Sequence, residues 1–341
     1  MIIFFFIILS IISFIFFYKL TDYSLSNKFI VDLDFNKKQA FHKKLKSRIG
    51  GICFFISFIF FYFFLFSLKN NANTLVLYGI IFFLIGLLSD LKITEKPKIR
   101  FFLMILFSFL FLKITNFKIN NYGLEFFQNI NNSYFSFIPV LVSLFLVVNG
   151  ANLIDGFNGL LSIHILLISI IYSYLAKIYN LDFLFLILIS IVLINIIFLY
   201  FNFILKKIFF GDSGAYLLGA LIAIMAIEVS NSTLNISPFF FAVTLFYLYF
   251  EVVFSIFRKI YEKKNPFFPD KYHLHMLFYR LLNNAKLKNS NNNTGLYLNI
   301  LYLILISPIF FYSHNNFFCQ IHFFLMHIVY IISYLYLREK K

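Results

Sequence analysis

Long apolar runs separated by short polar segments dominate this chain. Most runs reach about 17 residues or more, the length that an α-helix needs to cross ~30 Å of hydrocarbon. Apolar and polar residues do not alternate with a period of two, so the runs predict helices rather than the strands of a membrane barrel. We expect eleven spans, at 2–18, 50–68, 74–90, 100–115, 137–155, 160–176, 182–201, 211–229, 237–257, 295–313 and 317–337.

The composition leads to the same class. Of the 341 residues 61% are hydrophobic, 54 are Phe and only 13% are charged. A soluble protein of this size needs more polar surface than that. The expected fold class is all-α, a polytopic membrane bundle of about eleven helices in which residues 1–341 form one transmembrane domain. The first run lacks a basic leader and a small-residue cleavage site, so we expect a retained helix rather than a signal peptide.

Lys and Arg residues are concentrated in alternate loops, which indicates the orientation. With the N-terminus in the periplasm and the C-terminus in the cytoplasm, all but four of the 29 basic residues lie on the cytoplasmic side. The cytoplasmic loops would lie near 19–49, 90–100, 202–211 and 258–294. This bias explains the net charge of +15, and no nucleic-acid partner is expected because no soluble basic domain is present.

Three aspartates stand at the cytoplasmic ends of apolar runs. They are Asp90, Asp155 and Asp212. A carboxylate is costly near hydrocarbon and is rarely kept there without a partner or a function. Plain structural explanations exist as well, because Asp90 would pair with Lys92 at the surface and Asp212 would cap a helix. Three carboxylates gathered on one side of a membrane nevertheless indicate a metal-assisted active site.

Two polar segments carry most of this signal. Asn149–Gly159 packs Asn, Asp and Gly residues between two spans, more than a plain turn needs, and irregular backbone at this depth is tolerated only beside protein or a watery cavity. Phe209–Gly214 opens a span, and a helix N-terminus already favours anions. Asp212 there would suit Mg²⁺, which takes one or two carboxylates together with phosphate oxygens.

Two basic segments give weaker signals. Ser47–Gly51 places Arg48 before a Gly pair, and from the pattern alone it is an ordinary basic loop. The stretch from Glu251 to His275 ends with His273 and His275 in a basic loop. Two imidazoles would suit zinc, but no Cys partner or HExxH motif accompanies them. Phosphate recognition beside Arg and Lys fits them better.

In this order the segments resemble the polyprenyl-phosphate N-acetylhexosamine-1-phosphate transferases. That membrane family contains the enzymes that start O-antigen and enterobacterial common antigen, and the translocase that makes lipid I of peptidoglycan. The resemblance covers about residues 30 to 285. It rests on Lys38–Gly51 (K-x-H-x-x-x-x-P-R-x-G-G in the family), Ser89-Asp90 (D-D), Asn149–Leu160 (N-x-x-N-x-x-D-G-x-D-G-L), Phe209–Gly214 (F-x-G-D-x-G) and His273–Met276 (H-x-H-H).

Four positions depart from the family pattern. Ser47 replaces a Pro, Ser89 the first Asp of the pair, Asn158 the second Asp of its segment, and Met276 the last His. A subgroup of surface-polysaccharide members is similar to this chain at G-F-N-G and P-D-x-x-H-L-H, so Asn158 and Met276 fit a subgroup. Ser89 is the departure that bears most on catalysis.

The resemblance implies an enzyme of the bacterial inner membrane with its active site on the cytoplasmic side. It would transfer a sugar-1-phosphate from a UDP-N-acetylhexosamine to polyprenyl phosphate and release UMP, in the first membrane step of surface-polysaccharide synthesis. Mg²⁺ or Mn²⁺ would be held by Asp212, while Asp90 and Asp155 would be catalytic. The implied nucleotide and sugar-phosphate contacts are Arg48, Asn152, Gly156, Asn158, Phe209, His273 and His275. A homodimer is compatible with this picture.

Two alternatives stay open. A transporter or flippase of the same pathway would place its polar groups near the bilayer midplane and show repeated halves, whereas these groups lie at the cytoplasmic ends. The second alternative is an inactive family member that acts as a scaffold. It stays open because Ser89 replaces an Asp of the family pattern.

The distribution of basic residues makes the orientation testable. Single cysteines at Asn36 and Asn284, in a chain whose Cys53 and Cys319 are replaced by Ser, are expected to resist an impermeant thiol reagent in intact cells and to react after permeabilisation. A cysteine at Asn131, in a loop predicted to be periplasmic, is the positive control. Labelling of both test positions in intact cells would reverse the orientation.

Overall fold

A computed structural model describes residues 2–32, 45–66, 73–94, 96–124, 137–268 and 270–340. Helices make up most of this part of the chain, and the β-structure in it is limited to two short strands and one isolated bridge. The prediction of an all-helical membrane protein is confirmed at this level. Of the predicted segment Lys38–Gly51, residues 38–44 lie outside the described residues.

The helices follow one another along the chain with short connections. The first seven are α1 (Ile2–Ser26), α2 (Gly50–Phe66), α3 (Asn73–Asp90), α4 (Pro97–Thr115), α5 (Phe137–Ile154), α6 (Leu160–Ile178) and α7 (Asp182–Leu199), which continues as a π-helix, Tyr200–Ile204. The others are α8 (Gly211–Ser232), α9 (Pro238–Thr244), α10 (Phe246–Tyr261), α11 (Leu274–Asn284), α12 (Ser290–Ile306) with a 3₁₀ turn Ser307–Tyr312, and α13 (Asn316–Glu339).

Each predicted span corresponds to helical structure, but the count of eleven spans stays a prediction. In the described residues, seven helices are long and apolar enough to cross a membrane, or eight if α9 and α10 form one span. Two more apolar helices, Gly50–Leu65 and Val76–Asp90, are shorter. The boundaries also differ, since α1 continues to Ser26 and the loop predicted at 258–294 contains α11.

A sharp bend interrupts the predicted span 237–257. The axes of α9 and α10 differ by 71°. Such a break frees backbone carbonyls that lipid cannot hydrogen-bond. Here the hydroxyl of Tyr302 donates to the carbonyl of Thr244 at 2.5 Å, which satisfies one of them. The bend re-aims α10, which carries Glu251 and Arg258.

Helix α8 forms the centre of the bundle. Almost all of its residues are buried, and it packs against α2, α3, α5 and α6. Its sequence is rich in Gly and Ala, and small residues allow neighbouring helices to approach closely in a membrane. A Cβ on Gly86 of α3 would lie 2.5 Å from the Cα of Ser213, and one on Gly51 of α2 would lie 2.6 Å from the Cα of Gly214. Glycines on α2 and α3 therefore permit contact with the first turn of α8.

Two short strands lie beside this first turn. Strand β1 (Val31–Asp32) pairs antiparallel with β2 (Lys46–Ser47), with Val31 opposite Ser47. On its other side, Ser47 bridges to Ile208. The amide of Phe209 donates to the carbonyl of Ser47 at 2.7 Å. These bonds fix the segment before α2 against the segment before α8.

The close approach of α3 and α8 predicts a difference between two otherwise equal substitutions. Gly86→Ala is expected to destabilise the protein by about 1–3 kcal/mol, because the new methyl group meets rigid backbone of α8. Gly79→Ala on the same helix meets only flexible side chains, Leu221 at 3.1 Å and Leu217 at 3.3 Å, so helix propensity should balance or outweigh the contact. Thermal unfolding in detergent measures both. Equal melting temperatures would show that the α3–α8 contact is not tight.

Candidate active site

Asp90, the last residue of α3, closes the N-terminus of α8. Its Oδ1 accepts from the amide of Asp212 at 3.0 Å, and its Oδ2 accepts from the amide of Ser213 at 2.9 Å. The first amides of a helix have no partner within the helix, and they attract negative charge. From the sequence, Asp90 is expected either to pair with Lys92 at the surface or to have a functional role. The structure instead buries it as an anionic cap on another helix.

Asp212, at the start of α8 as predicted, is the residue that the other members of the polar cluster contact. Its Oδ1 accepts from Asn152 Nδ2 at 2.9 Å. Its Oδ2 accepts from the Ser89 hydroxyl at 2.5 Å and from Arg100 Nη1. Arg100 Nη1 also donates to Ser89 Oγ, at 2.6 Å. Residues from α3, α4 and α5 therefore converge on one carboxylate.

Arg48 lies between the two carboxylates at the start of α8. Its guanidinium nitrogens are 3.7 Å from Asp90 Oδ1 and 3.8 Å from Asp212 Oδ1. Burial would lower the pKa of Arg48, but the carboxylates of Asp212 and Asp90 outweigh it and raise that pKa. The guanidinium is therefore firmly charged. The structure brings Arg48 into the cluster, although the sequence pattern alone indicated only a basic loop.

Asp155 lies in the turn between α5 and α6, near these charges. Burial raises its pKa well above the usual range, while the positive charge of Arg48 acts in the opposite direction. A carboxyl group with a raised pKa can hold or release a proton near neutral pH. Next to it, Gly156 faces open space, because a Cβ added there would have no neighbour within 4 Å. The turn therefore leaves room for a ligand.

Lys46 is a site residue that the sequence did not single out. Its ammonium donates to Asn158 Oδ1 at 2.6 Å and lies 4.1 Å from the centre of the Phe209 ring. Asn158 also donates through Nδ2 to Asn292 Oδ1 at 2.8 Å, and it is only 2% exposed. The side chain of Asn158 thus holds other residues in place. Nothing in the local pattern distinguished Lys46, because it is one lysine among several in a basic segment.

His273 and His275 form a second cluster, on α10, α11 and α13. His273 Nδ1 is 3.0 Å from Glu251 Oε1, and Glu251 Oε2 accepts from the hydroxyl of Tyr330 at 2.6 Å. His275 Nδ1 is 3.3 Å from the hydroxyl of Tyr247. Burial lowers the pKa of His275 to about 3, so it is neutral at physiological pH.

Phe157 links the two clusters. Its ring contacts that of His275, with 5.7 Å between the ring centres, and it belongs to the same turn as Asp155. Among the described residues, neither His forms a hydrogen bond or ion pair with Asp90 or Asp212. The structure thus unites Arg48, Asp90, Asn152 and Asp212, while the His pair packs next to the turn that borders them.

The first cluster suits a divalent cation. Its acceptors are carboxylate and amide oxygens, the donors that Mg²⁺ prefers, and Arg48 and Arg100 contact these carboxylates in the structure. In the described part of the chain, no three His, Cys, Asp or Glu side chains gather as a complete metal-binding set.

Comparison with known proteins supports the resemblance that the motifs indicated. The family model described as glycosyl transferase family 4 matches residues 72–230, which include Asp90, Asp155 and Asp212. An undecaprenyl-phosphate alpha-N-acetylglucosaminyl 1-phosphate transferase of Thermotoga maritima is 27% identical over 256 residues, or 74% of this chain and 75% of the relative. Over residues 72–230, the chain therefore resembles glycosyl transferase family 4.

A second relative of this family agrees. A probable undecaprenyl-phosphate N-acetylglucosaminyl 1-phosphate transferase of Bacillus subtilis is 25% identical over 254 residues, covering 72% of this chain and 68% of the relative. The resemblance that the sequence motifs indicated is confirmed, and so is the prediction of an enzyme that transfers sugar phosphates. The polar cluster lies within the matched region, apart from Arg48, Lys46 and the His residues.

The position of Arg100 predicts a specific loss of stability. Arg100→Gln removes the ion-pair partner of Asp212 and is expected to destabilise the protein by about 1–3 kcal/mol, because a mostly buried carboxylate loses a charged donor. Lys98→Gln, an exposed position on the same helix, is the matched control. The measurement is thermal unfolding in detergent. Identical shifts for the two variants would mean that the pair with Asp212 does not form.

Proposed function

We propose that this enzyme transfers a sugar-1-phosphate from a UDP-N-acetylhexosamine to undecaprenyl phosphate and releases UMP. The observation that carries the proposal is the convergence of Arg48, Arg100 and Asn152 on Asp212, at the N-terminus of a buried helix. The names of the two relatives support undecaprenyl phosphate as the acceptor and N-acetylglucosamine as the sugar.

The chemistry is a phosphoryl transfer between two anions. An oxygen of the lipid phosphate attacks the phosphorus that carries the sugar, a new P–O bond forms, and the bond to the UMP oxygen breaks. Such reactions are catalysed mainly by positioning and by neutralising charge. Arg48 and Arg100 supply positive charge beside the first turn of α8, and the amides of that turn reinforce it.

Magnesium would add the remaining positive charge. We assign Asp212 as its ligand and Asn152 as a neighbouring oxygen donor. When bound, the ion would neutralise the diphosphate and polarise it towards attack. Asp90 would act through α8, because both of its oxygens already accept the amides that hold the helix start in place.

The other predicted residues take roles that their positions allow. Asp155, with its raised pKa, would orient the lipid phosphate or accept its proton. Gly156 leaves space for the ligand, and Phe209 would border the nucleotide. His273 and His275 are held by Glu251 and Tyr247, and they would contact the sugar phosphate from the adjacent cluster.

The cellular setting follows from the basic loops. We place the protein in the bacterial inner membrane as a multi-pass enzyme whose active site faces the cytoplasm, where UDP-sugars are available. The product would start a cell-surface polysaccharide such as O-antigen. Ser89 does not favour a lapsed enzyme, because its hydroxyl contacts both Asp212 and Arg100.

The test is transfer of labelled sugar phosphate to undecaprenyl phosphate by the purified protein. UDP-GlcNAc and UDP-GalNAc are offered with Mg²⁺, and lipid product and UMP should form in equal amounts. Asp212→Asn should reduce transfer by about 10²-fold or more, because a neutral amide cannot hold the cation or anchor the arginines. EDTA should stop the wild type, and Mg²⁺ or Mn²⁺ should restore it.

Asp182→Asn is the control for the loss of a carboxylate. Asp182 begins α7, well outside the polar cluster in sequence, and transfer should be unaffected. Transfer that survives both EDTA and Asp212→Asn would exclude the metal role. A wild-type protein that uses none of the UDP-N-acetylhexosamines would refute the proposed reaction.

A further inference from the structure

A lysine is buried beside the predicted nucleotide site without a carboxylate partner. Lys46 is only 5% exposed. Its ammonium contacts the amide oxygen of Asn158 and the ring of Phe209, both of them neutral groups. Among the described residues, no carboxylate lies within ion-pair distance of it. An ammonium carries three donors, and only one of them is used by the bond to Asn158.

Keeping this charge buried is costly. An ion taken out of water needs strong partners, and a neutral amide and a ring supply only part of what is lost. Burial lowers the pKa of Lys46 to about 8, with Lys206 acting in the same direction and Asp155 against it. A strongly perturbed lysine beside a ligand site is a functional candidate.

The backbone directs Lys46 and Arg48 to the same side. Ser47 donates its amide to the carbonyl of Lys207 at 3.0 Å and accepts the amide of Phe209 at 2.7 Å, so the chain is extended here. In an extended chain, alternate side chains share a face and lie about 6.6 Å apart. The Ser47 hydroxyl points the other way and meets that of Ser24 at 2.5 Å.

The two cations therefore lie on one side of the strand, beside two different parts of the site. Arg48 lies at the carboxylates of Asp90 and Asp212, where the diphosphate would bind. Lys46 lies two residues earlier in the chain, against the ring of Phe209, where the nucleoside would bind.

We propose that Lys46 binds the donor nucleotide, donating to an oxygen of its UMP half, and that Asn158 is the positioning residue that aims the ammonium. This deepens the proposed function and rests on it. Asn158 is only 2% exposed, and its amide is already engaged at both ends, with Oδ1 on Lys46 and Nδ2 on Asn292. The nucleotide or sugar-phosphate contact that the family resemblance implied for position 158 thus passes to Lys46.

The first test is the affinity for UMP, measured by calorimetry on the purified full-length protein. Lys46→Met keeps the side-chain stem but loses the charge, and the Kd should rise about 10-fold or more, as expected for loss of a charge-assisted hydrogen bond. Lys46→Arg should recover most of the affinity. Lys207→Met, at an exposed position two residues before Phe209, should leave the Kd unchanged. In the transfer assay, Lys46→Met should raise KM for the UDP-sugar far more than it lowers kcat.

The second test is the pH dependence of UMP binding. The ammonium is charged below its pKa of about 8, so wild-type affinity should be high at pH 7 and fall as the pH rises towards 9. Lys46→Met should lack this fall, and Lys46→Arg should remain tight across the range. A purely structural lysine would not produce this pattern.

The outcomes separate the two proposals. If the wild type binds UMP and Lys46→Met binds it equally well, Lys46 has no role while the proposed function stands. If Lys46→Met does not fold, the pH series on the wild type and Lys46→Arg decides, and a wild-type affinity that is flat with pH overturns the assignment. A wild type that neither binds UMP nor uses any UDP-sugar overturns the proposed function itself.

Discussion

The bond between Asp90 and the first amides of α8 is the constraint on which the site depends. A helix that starts inside an apolar bundle exposes amides that no lipid can satisfy. Asp90 satisfies those of Asp212 and Ser213, and it does so from the end of α3, so the two helix ends must meet. The glycines at 51 and 86 make that meeting sterically feasible. Asp212 is thereby held at a fixed point, and the arginines pack around it.

Charge balance gives this arrangement its chemical character. Asp90 and Asp212 lie beside Arg48 and Arg100, so the formal charges of these two aspartates and two arginines cancel. Two phosphate-bearing substrates would add negative charge that the protein alone does not neutralise. This excess of negative charge is the physical reason why a divalent cation fits the proposed reaction.

Local patterns predicted much of the helical fold and part of the site. Apolar runs marked the helices, and the clusters around Asp90, Asp155 and Asp212 came from polar residues where hydrocarbon was expected. What the sequence could not show was pairing across the chain. Lys46 meets Asn158, and Arg100 meets Asp212, over separations of more than 100 residues. No periodicity encodes such contacts. The 71° bend before α10 could not be predicted from the sequence either. The carbonyl of Thr244 at this bend is satisfied by Tyr302, which is distant in the chain.

The departure at Ser89 acquires a physical meaning from its contacts. A carboxylate at this position would compete with Asp212 for Arg100 and would add a second negative charge to the pair. The Ser89 hydroxyl instead donates to Asp212 and accepts from Arg100, so it carries no charge of its own and joins the other two groups. The full charge of Arg100 is then directed at Asp212. Because the acceptor phosphate has a second pKa near ~6, much of it is already ionised at neutral pH, and a base at position 89 is not needed to activate it. The substitution thus redistributes charge within the site and is compatible with an active transferase.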